Sequence, residues 1–156
     1  SPPYPVSMPT GQERLVEHFR QMRADLLAAI DGLTDAQLSE KTLDGWSVKD
    51  HLAHIALYDE LRVAEVRRIS AGWETAWHMP GKDHIYSELG YELRANFSPA
   101  QALWEIANVH EQLLAAIAEG TGYILDPSRF SEAAMPSTHE AQHTGWIRRW
   151  RTERGY

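Results

Sequence analysis

The chain has 156 residues, 43% hydrophobic and 24% charged, which is ordinary for one globular domain large enough to bury a core. It contains no cysteine, so disulfides, thiolate ligands and a cysteine nucleophile are excluded, and any metal must be bound by histidine or carboxylate side chains. The formal charge of −7 argues against binding to nucleic acid or to anionic membranes. The sequence has no apolar run of membrane-spanning length and no signal-peptide pattern, so we expect a cytoplasmic protein.

The first part of the chain predicts a short arm followed by a helix. Residues 1–9 contain four prolines and no helical period, so we expect a flexible arm, with residues 10–156 forming a single domain. Thr10 and Glu13 have the spacing of a capping box, and apolar residues then recur at intervals of three and four. This pattern predicts a first helix that ends near Gly32, and residues 34–40 favour one short turn.

A second, longer helix is predicted from about residue 47 to 72. Ser47 and Asp50 have the spacing of a helix cap, and a long amphipathic stripe follows them. Residues 72–84 form a connection rich in glycine, tryptophan and histidine, and residues 85–96 are weakly helical in character. The sequence therefore predicts a long crossover after the second helix.

Two further helices complete the predicted fold. Ser98 and Pro99 are typical of a helix start, and this third helix is expected to stop at Gly120. The fourth is expected from about residue 138 to 154, and its tryptophan and arginine residues are consistent with a homodimer. No segment alternates as a strand does, so we predict an all-α fold: a four-helix bundle with a long crossover between helices two and three. The core of such a bundle is a common place for a metal site.

The most informative motif is His139-Glu140-Ala141-Gln142-His143, whose two imidazoles lie four residues apart on the predicted fourth helix. Both rings can then reach one cation. The string matches the H-E-x-x-H pattern of zinc peptidases, but only thirteen residues follow it, and the extended pattern fails at Trp146 and Arg149. We therefore reject a peptidase and read Ser137 and Glu140 as a capping box. A third metal ligand must come from upstream.

Three of the remaining histidines are candidates for that ligand. His51, His54 and His110 fall on apolar helix faces, whereas the others lie in the connection or at the edge of a helix stripe. A single inward histidine is usually a core residue with a hydrogen-bond partner. The presence of a histidine pair on another inward face makes a ligand more plausible, and periodicity alone leaves all three open.

The run Gly45-Trp46-Ser47-Val48-Lys49-Asp50-His51-Leu52-Ala53-His54-Ile55, followed by Tyr58 and Asp59, resembles the second-helix signature of the DinB/YfiT-like superfamily. A second signature of that family, H-x-x-x-H near the C-terminus, is matched by His139 and His143. Trp150 is similar to a tryptophan of the ClbS/DfsB-type branch. The resemblance covers nearly the whole chain in helix order and length.

The resemblance implies a metal site of three imidazoles, those of His54, His139 and His143. Asp59 matches an acidic residue of the family, and two roles are open for it. It could orient a ligating imidazole or act as a base, or it could form an ion pair with Arg62, three residues further on.

The implied site suggests an enzyme that acts on small molecules. Three neutral imidazoles leave coordination positions open, as in catalytic sites, and nitrogen ligands suit a divalent metal: zinc first, with nickel or iron as alternatives. Such a cation generates hydroxide at neutral pH or activates a low-molecular-weight thiol. Relatives are associated with two kinds of reaction. One is the hydrolysis or ring opening of reactive small molecules, and the other is the transfer of a thiol to an electrophile. The sequence does not separate these activities.

Aromatic residues are expected to line a pocket for a small-molecule substrate, whereas Trp46 and Trp104 are expected in the core. His51 occupies a family position that is usually apolar, so we treat it as a pocket residue rather than a ligand. The pocket candidates are His51, Tyr58, Trp77, His110 and Trp146. The alternative function is a self-resistance protein that binds and sequesters a toxic small molecule without metal-dependent turnover. A third hypothesis is a site that only stabilises the fold.

Overall fold

The computed structural model describes residue 8 and residues 10–41, 43–78, 83–131 and 135–156. These residues form six α-helices and no β-strand, which confirms the predicted all-α fold. None of these helices combines the length and apolar character needed to cross a membrane. Apart from Met8, the predicted flexible arm lies outside the described residues. The helices are α1 (Gly11–Ile30), α2 (Asp35–Leu38), α3 (Val48–Ser70), α4 (Asp83–Arg94), α5 (Pro99–Glu119) and α6 (His139–Arg154).

Helix starts follow the local capping signals closely. The capping boxes at Thr10 and Ser47 are both formed, since each hydroxyl accepts from a backbone N–H three residues on and an acidic side chain binds back. Ser98 accepts from the backbone of Gln101, and Pro99 occupies the first helical position of α5. Within residues 34–40, where a short turn was predicted, Asp35–Leu38 form α2. These caps fix where α1, α3 and α5 begin.

The capping box predicted at the start of α6 is wrong. The backbone N–H of His139 donates to Ser137 Oγ at 3.2 Å, but the Glu140 carboxylate does not reach back to the helix start. Glu140 is buried and accepts hydrogen bonds from Arg23 of α1 instead. The Glu140 carboxylate therefore pairs with the buried guanidinium of Arg23 on another helix, and it does not cap its own helix.

The four long helices are α1, α3, α5 and α6, and each packs against two of the others. Helix α1 packs on α5 and α6, and α3 packs on the same two helices. Trp104, predicted to be a core residue, is 61% exposed, because it lies on the opposite face of α5 from Ala102 and Ile106. Towards one end the core contains Phe19, Met22, Val66, Ile69, Leu113 and Ile117, and towards the other Leu26, Leu52, Ile55, Ile106 and Ile147.

The crossover between α3 and α5 contains α4, which packs against α3. Gly90 allows this close approach, since a Cβ atom at that position would collide with the side chain of Leu57. The connection before α4 is held by Glu65 of α3, which accepts from the backbone N–H of Ala76 at 3.0 Å and from Thr75 Oγ1 at 2.5 Å. These contacts hold Thr75 and Ala76 beside α3.

Candidate metal centre

The structure brings together the three histidines that the resemblance implied as ligands. His54 lies near the middle of α3, and His139 and His143 occupy the first two turns of α6. His139 Nε2 lies 3.1 Å from His54 Nε2 and 3.0 Å from His143 Nε2. Each ring offers one nitrogen to a group whose members all lie within 4.8 Å of one another. Three nitrogens thus converge at the interface of α3 and α6.

Hydrogen bonding among the rings cannot satisfy these nitrogens. Each neutral imidazole nitrogen either donates one hydrogen or accepts one with its single in-plane lone pair. His139 Nε2 therefore has capacity for one of its two close neighbours, not both. A tetrahedral cation with N ligands at about 2.0–2.1 Å would separate them by about 3.3 Å, close to the 3.1 and 3.0 Å that separate His139 Nε2 from its two neighbours. The donor set thus fits a metal ion better than it fits a hydrogen-bonded core.

The three rings are held in the neutral form that binds metal. Burial lowers the pKa of His54 to about 3, assisted by repulsion from His139, His51 and Arg62. Burial also lowers the pKa of His139 to about 4 and, with the neighbouring imidazoles, that of His143 to about 2. The ordinary pKa of histidine is about 6.5, so at neutral pH all three side chains carry a lone pair rather than a charge.

A fourth imidazole, that of His51, lies behind the group. Its Nδ1 is 2.7 Å from His143 Nδ1, on the edge of the His143 ring that does not face His139. His51 is 6% exposed, and burial lowers its pKa to about 4 despite the opposing charges of Asp50 and Asp44. His51 therefore contacts a candidate ligand without belonging to the convergent group of three.

Aromatic side chains surround these imidazoles. The Trp46 ring centroid lies 5.3 Å from those of both His51 and His54, so this residue, expected in the core, borders the site. Tyr58 packs against His54 with ring centroids 4.8 Å apart, and Trp146, 44% exposed, packs against His143 at 4.9 Å. That these residues contact a substrate stays a prediction.

Two of the predicted pocket residues lie further from the three imidazoles. Trp77 is buried and packs against Tyr58, with ring centroids 5.8 Å apart. His110 lies on α5, outside the convergent group. Burial lowers its pKa to about 4, with repulsion from Arg23 and Arg20 as the next causes. The structure therefore places His110 beside the arginines of α1 rather than among the imidazoles.

A buried cluster of four charges lies beside the site, and sequence reasoning found only part of it. Arg23 Nη2 donates to Asp59 Oδ2 at 2.7 Å and to Glu140 Oε1 at 2.8 Å, and Arg62 Nη1 donates to Asp59 Oδ1 at 3.3 Å. All four residues are between 3% and 6% exposed. Asp59 thus forms the ion pair with Arg62 that was one of its two open roles, with Arg23 as a second partner.

Arg23 is the member that sequence reasoning missed, although a signal existed. It occupies the same face of α1 as Phe19 and Leu26, where a charged residue has no solvent and needs a buried partner. Its Nη1 also donates to the backbone carbonyl of Ile106 at 2.5 Å. An arginine within an apolar stripe therefore predicts buried acids elsewhere, here Asp59 and Glu140.

The charge cluster also fixes the start of α6. Arg62 Nη2 donates to Ser137 Oγ at 2.9 Å, and the same hydroxyl oxygen accepts from the backbone N–H of His139. His18 Nε2 lies 2.8 Å from the backbone carbonyl oxygen of Ser137. The position of His139 is therefore set by contacts from both α1 and α3.

The fold and the site define an all-α protein with a candidate metal centre of three histidines on two packed helices. The family model of the DinB superfamily matches residues 18–147, and the chain belongs to this superfamily. The crystal structure of an uncharacterised protein from Escherichia coli UTI89 has a similar fold, with a TM-score of 0.78 and 16% sequence identity, covering 95% of this chain and 96% of that chain. No curated protein matches the sequence.

Proposed function

We propose that this protein is a metal-dependent enzyme that acts on a small electrophilic molecule. The reaction is hydrolysis or ring opening, or the transfer of a low-molecular-weight thiol to the electrophile. One observation carries the proposal: the Nε2 atoms of His54, His139 and His143 converge, and hydrogen bonds among them cannot satisfy all three. Membership of the DinB superfamily is consistent with such a site.

His54, His139 and His143 would hold a divalent cation, with zinc favoured and nickel or iron as alternatives for an all-nitrogen donor set. When bound, such a cation would act as a Lewis acid and lower the pKa of a bound water or thiol. The protein's part is to keep the three imidazoles neutral by burial and to hold them on two helices that the charge cluster locks together.

The aromatic residues around the imidazoles suit a flat or apolar substrate. Trp46 and Tyr91 stack with ring centroids 5.5 Å apart, and Trp146 borders His143 from α6. These rings would present apolar surface to a bound molecule. In this proposal Asp59 acts as a structural anion, because both of its carboxylate oxygens already accept from guanidinium groups.

Elemental mass spectrometry of the purified protein tests the proposal. About one equivalent of metal per chain is expected, and none in a His139→Ala/His143→Ala variant. His110→Ala is the matched control, since His110 is buried outside the group of three and its loss should leave metal content unchanged. A parent that stays metal-free after incubation with zinc, nickel and iron would contradict the proposal.

A second measurement separates the enzyme from the sequestering alternative. His54→Ala should keep the fold and abolish turnover of reactive test electrophiles, with and without added thiol. If instead the parent binds such molecules tightly and a chelator has no effect on binding, the sequestering function is favoured. The same electrophiles serve in both assays, so the two outcomes are directly comparable.

A further inference from the structure

The contact between His51 and His143 carries an inference beyond the three candidate ligands. Their Nδ1 atoms are 2.7 Å apart, a distance that requires one proton between two nitrogens. His51 lies on α3 one turn before His54, and both rings of the contact are less than a tenth exposed. Water therefore does not compete for this hydrogen bond, and the two imidazoles must share one proton in a defined direction.

The direction follows from the chemistry of a neutral imidazole, which carries one N–H. His143 Nε2 faces His139 Nε2 at 3.0 Å, within the convergent group. To act as a ligand there, Nε2 must keep its lone pair, so the proton of His143 must reside on Nδ1. The partner of that Nδ1 is His51 Nδ1, which must then accept the hydrogen bond, so the proton of His51 lies on its own Nε2.

We propose that His51 is a positioning residue for the metal site, which fixes both the tautomer and the ring orientation of His143. This inference rests on the metal site of the proposed function and assigns a role to a residue outside the three ligands. A ligating histidine usually donates to a carboxylate, a backbone carbonyl or a water. Here the acceptor is a neutral imidazole, which adds no negative charge, so a bound cation would keep more of its Lewis acidity.

The surroundings of His51 favour a fixed acceptor over a fourth ligand. Its Nδ1 meets the edge of the His143 ring opposite the convergent nitrogens, so this atom points at His143 rather than at the place where the three Nε2 atoms meet. Trp46 packs edge-on against the ring at 5.3 Å between centroids, and Trp146 does so at 6.3 Å. Two indoles thus hold the ring where its Nδ1 can accept.

Two substitutions at His51 separate the hydrogen bond from the bulk of the side chain. In His51→Asn the amide oxygen occupies roughly the position of Nδ1 and can still accept, whereas His51→Leu fills the space without an acceptor. Affinity for zinc is measured by competition with a chromophoric chelator. We expect His51→Leu to bind zinc about 10–100-fold more weakly, and His51→Asn to retain most of the affinity. His110→Leu, the loss of a buried histidine elsewhere, should leave affinity unchanged.

Equal zinc affinity in His51→Leu and the parent would overturn the role of His51 and leave the proposed function standing. Equal loss in the asparagine and leucine variants would also overturn it, since the acceptor would then not be the cause. A parent that binds no cation would overturn both proposals.

Nitrogen-15 NMR of the histidine rings in the zinc-loaded parent gives a readout that does not depend on any variant folding. We expect the proton of His143 on Nδ1 and that of His51 on Nε2. The proton of His143 on Nε2 would overturn the proposal.

Discussion

Replacing Arg23 by methionine is expected to lower the free energy of unfolding by about 3–5 kcal/mol at neutral pH, the range for removing one partner of a buried ion pair. Arg23 donates to Glu140 Oε1 at 3.1 and 2.8 Å and to Asp59 Oδ2 at 2.7 Å. Asp59 keeps the guanidinium of Arg62, but within the described part of the chain Glu140 has no second ion pair. The loss therefore falls mainly on Glu140.

The destabilisation by Arg23→Met should shrink as the pH falls. Burial already raises the pKa of Glu140, and Arg23 is the strongest group that opposes this, so its removal raises that pKa further. A carboxyl group whose pKa is higher in the folded state binds more protons when folded. The charged carboxylate therefore destabilises the variant fully at neutral pH, and this destabilisation declines as the pH falls towards the folded pKa and the group becomes protonated. Urea unfolding of variant and parent at about pH 7 and about pH 5.5 measures the difference.

A double variant, Arg23→Met/Glu140→Met, removes both charges and keeps the pair of Asp59 and Arg62. It should recover most of the stability, because replacing a buried ion pair by apolar side chains is often close to neutral. A loss of less than about 1 kcal/mol in Arg23→Met, or a double variant no more stable than the single one, would refute the assignment of Glu140 as a charge that needs Arg23.

The loop before α4, the aromatic border and the buried histidines each give one further expectation. Glu65→Gln should increase hydrogen exchange of the Ala76 amide about tenfold by mass spectrometry, because that amide donates to Glu65; unchanged protection would contradict the anchoring role. Trp146→Phe should reduce, without abolishing, the quenching of tryptophan fluorescence by bound cobalt, since the indole packs against His143; identical quenching would be inconsistent with this contact. The free energy of unfolding should fall as the pH drops below about 6.5, because the pKa values of the buried histidines are lowered in the folded state and the unfolded chain binds more protons there. Each such histidine changes the free energy of unfolding by up to about 1.4 kcal/mol per pH unit. His110→Leu should therefore make the free energy of unfolding, measured with urea, depend less steeply on pH. An unchanged slope would argue against the lowered pKa of His110.

Local signals predicted the helices well because they act over a few residues. The hydroxyls at Thr10, Ser47 and Ser98 each bind a backbone N–H three residues on, so the start of a helix is encoded beside it. The pairing of His139 and His143 follows from the helical period in the same way. Selecting His54 as their partner needed the family signature, because periodicity also allowed His51 and His110.

Contacts between residues far apart in the chain account for what the sequence did not reveal. Glu140 was assigned to a cap because a local rule fitted, yet its partner Arg23 lies 117 positions away. Trp46 was expected in the core, but the turn before α3 brings it against His51 and His54. In both cases the deciding neighbour comes from packing, which no local pattern specifies.

The buried charge cluster also has a consequence for how this sequence can evolve. Arg23, Arg62, Asp59 and Glu140 balance in charge, and each lies inside the protein. Changing one of them alone leaves an unmatched charge in the core, so a lineage that loses one member is selected to lose or replace its partner soon afterwards. Among related chains, the positions of Arg23 and Glu140 are therefore expected to covary, and this correlation would link α1 to α6 even where the histidines are absent.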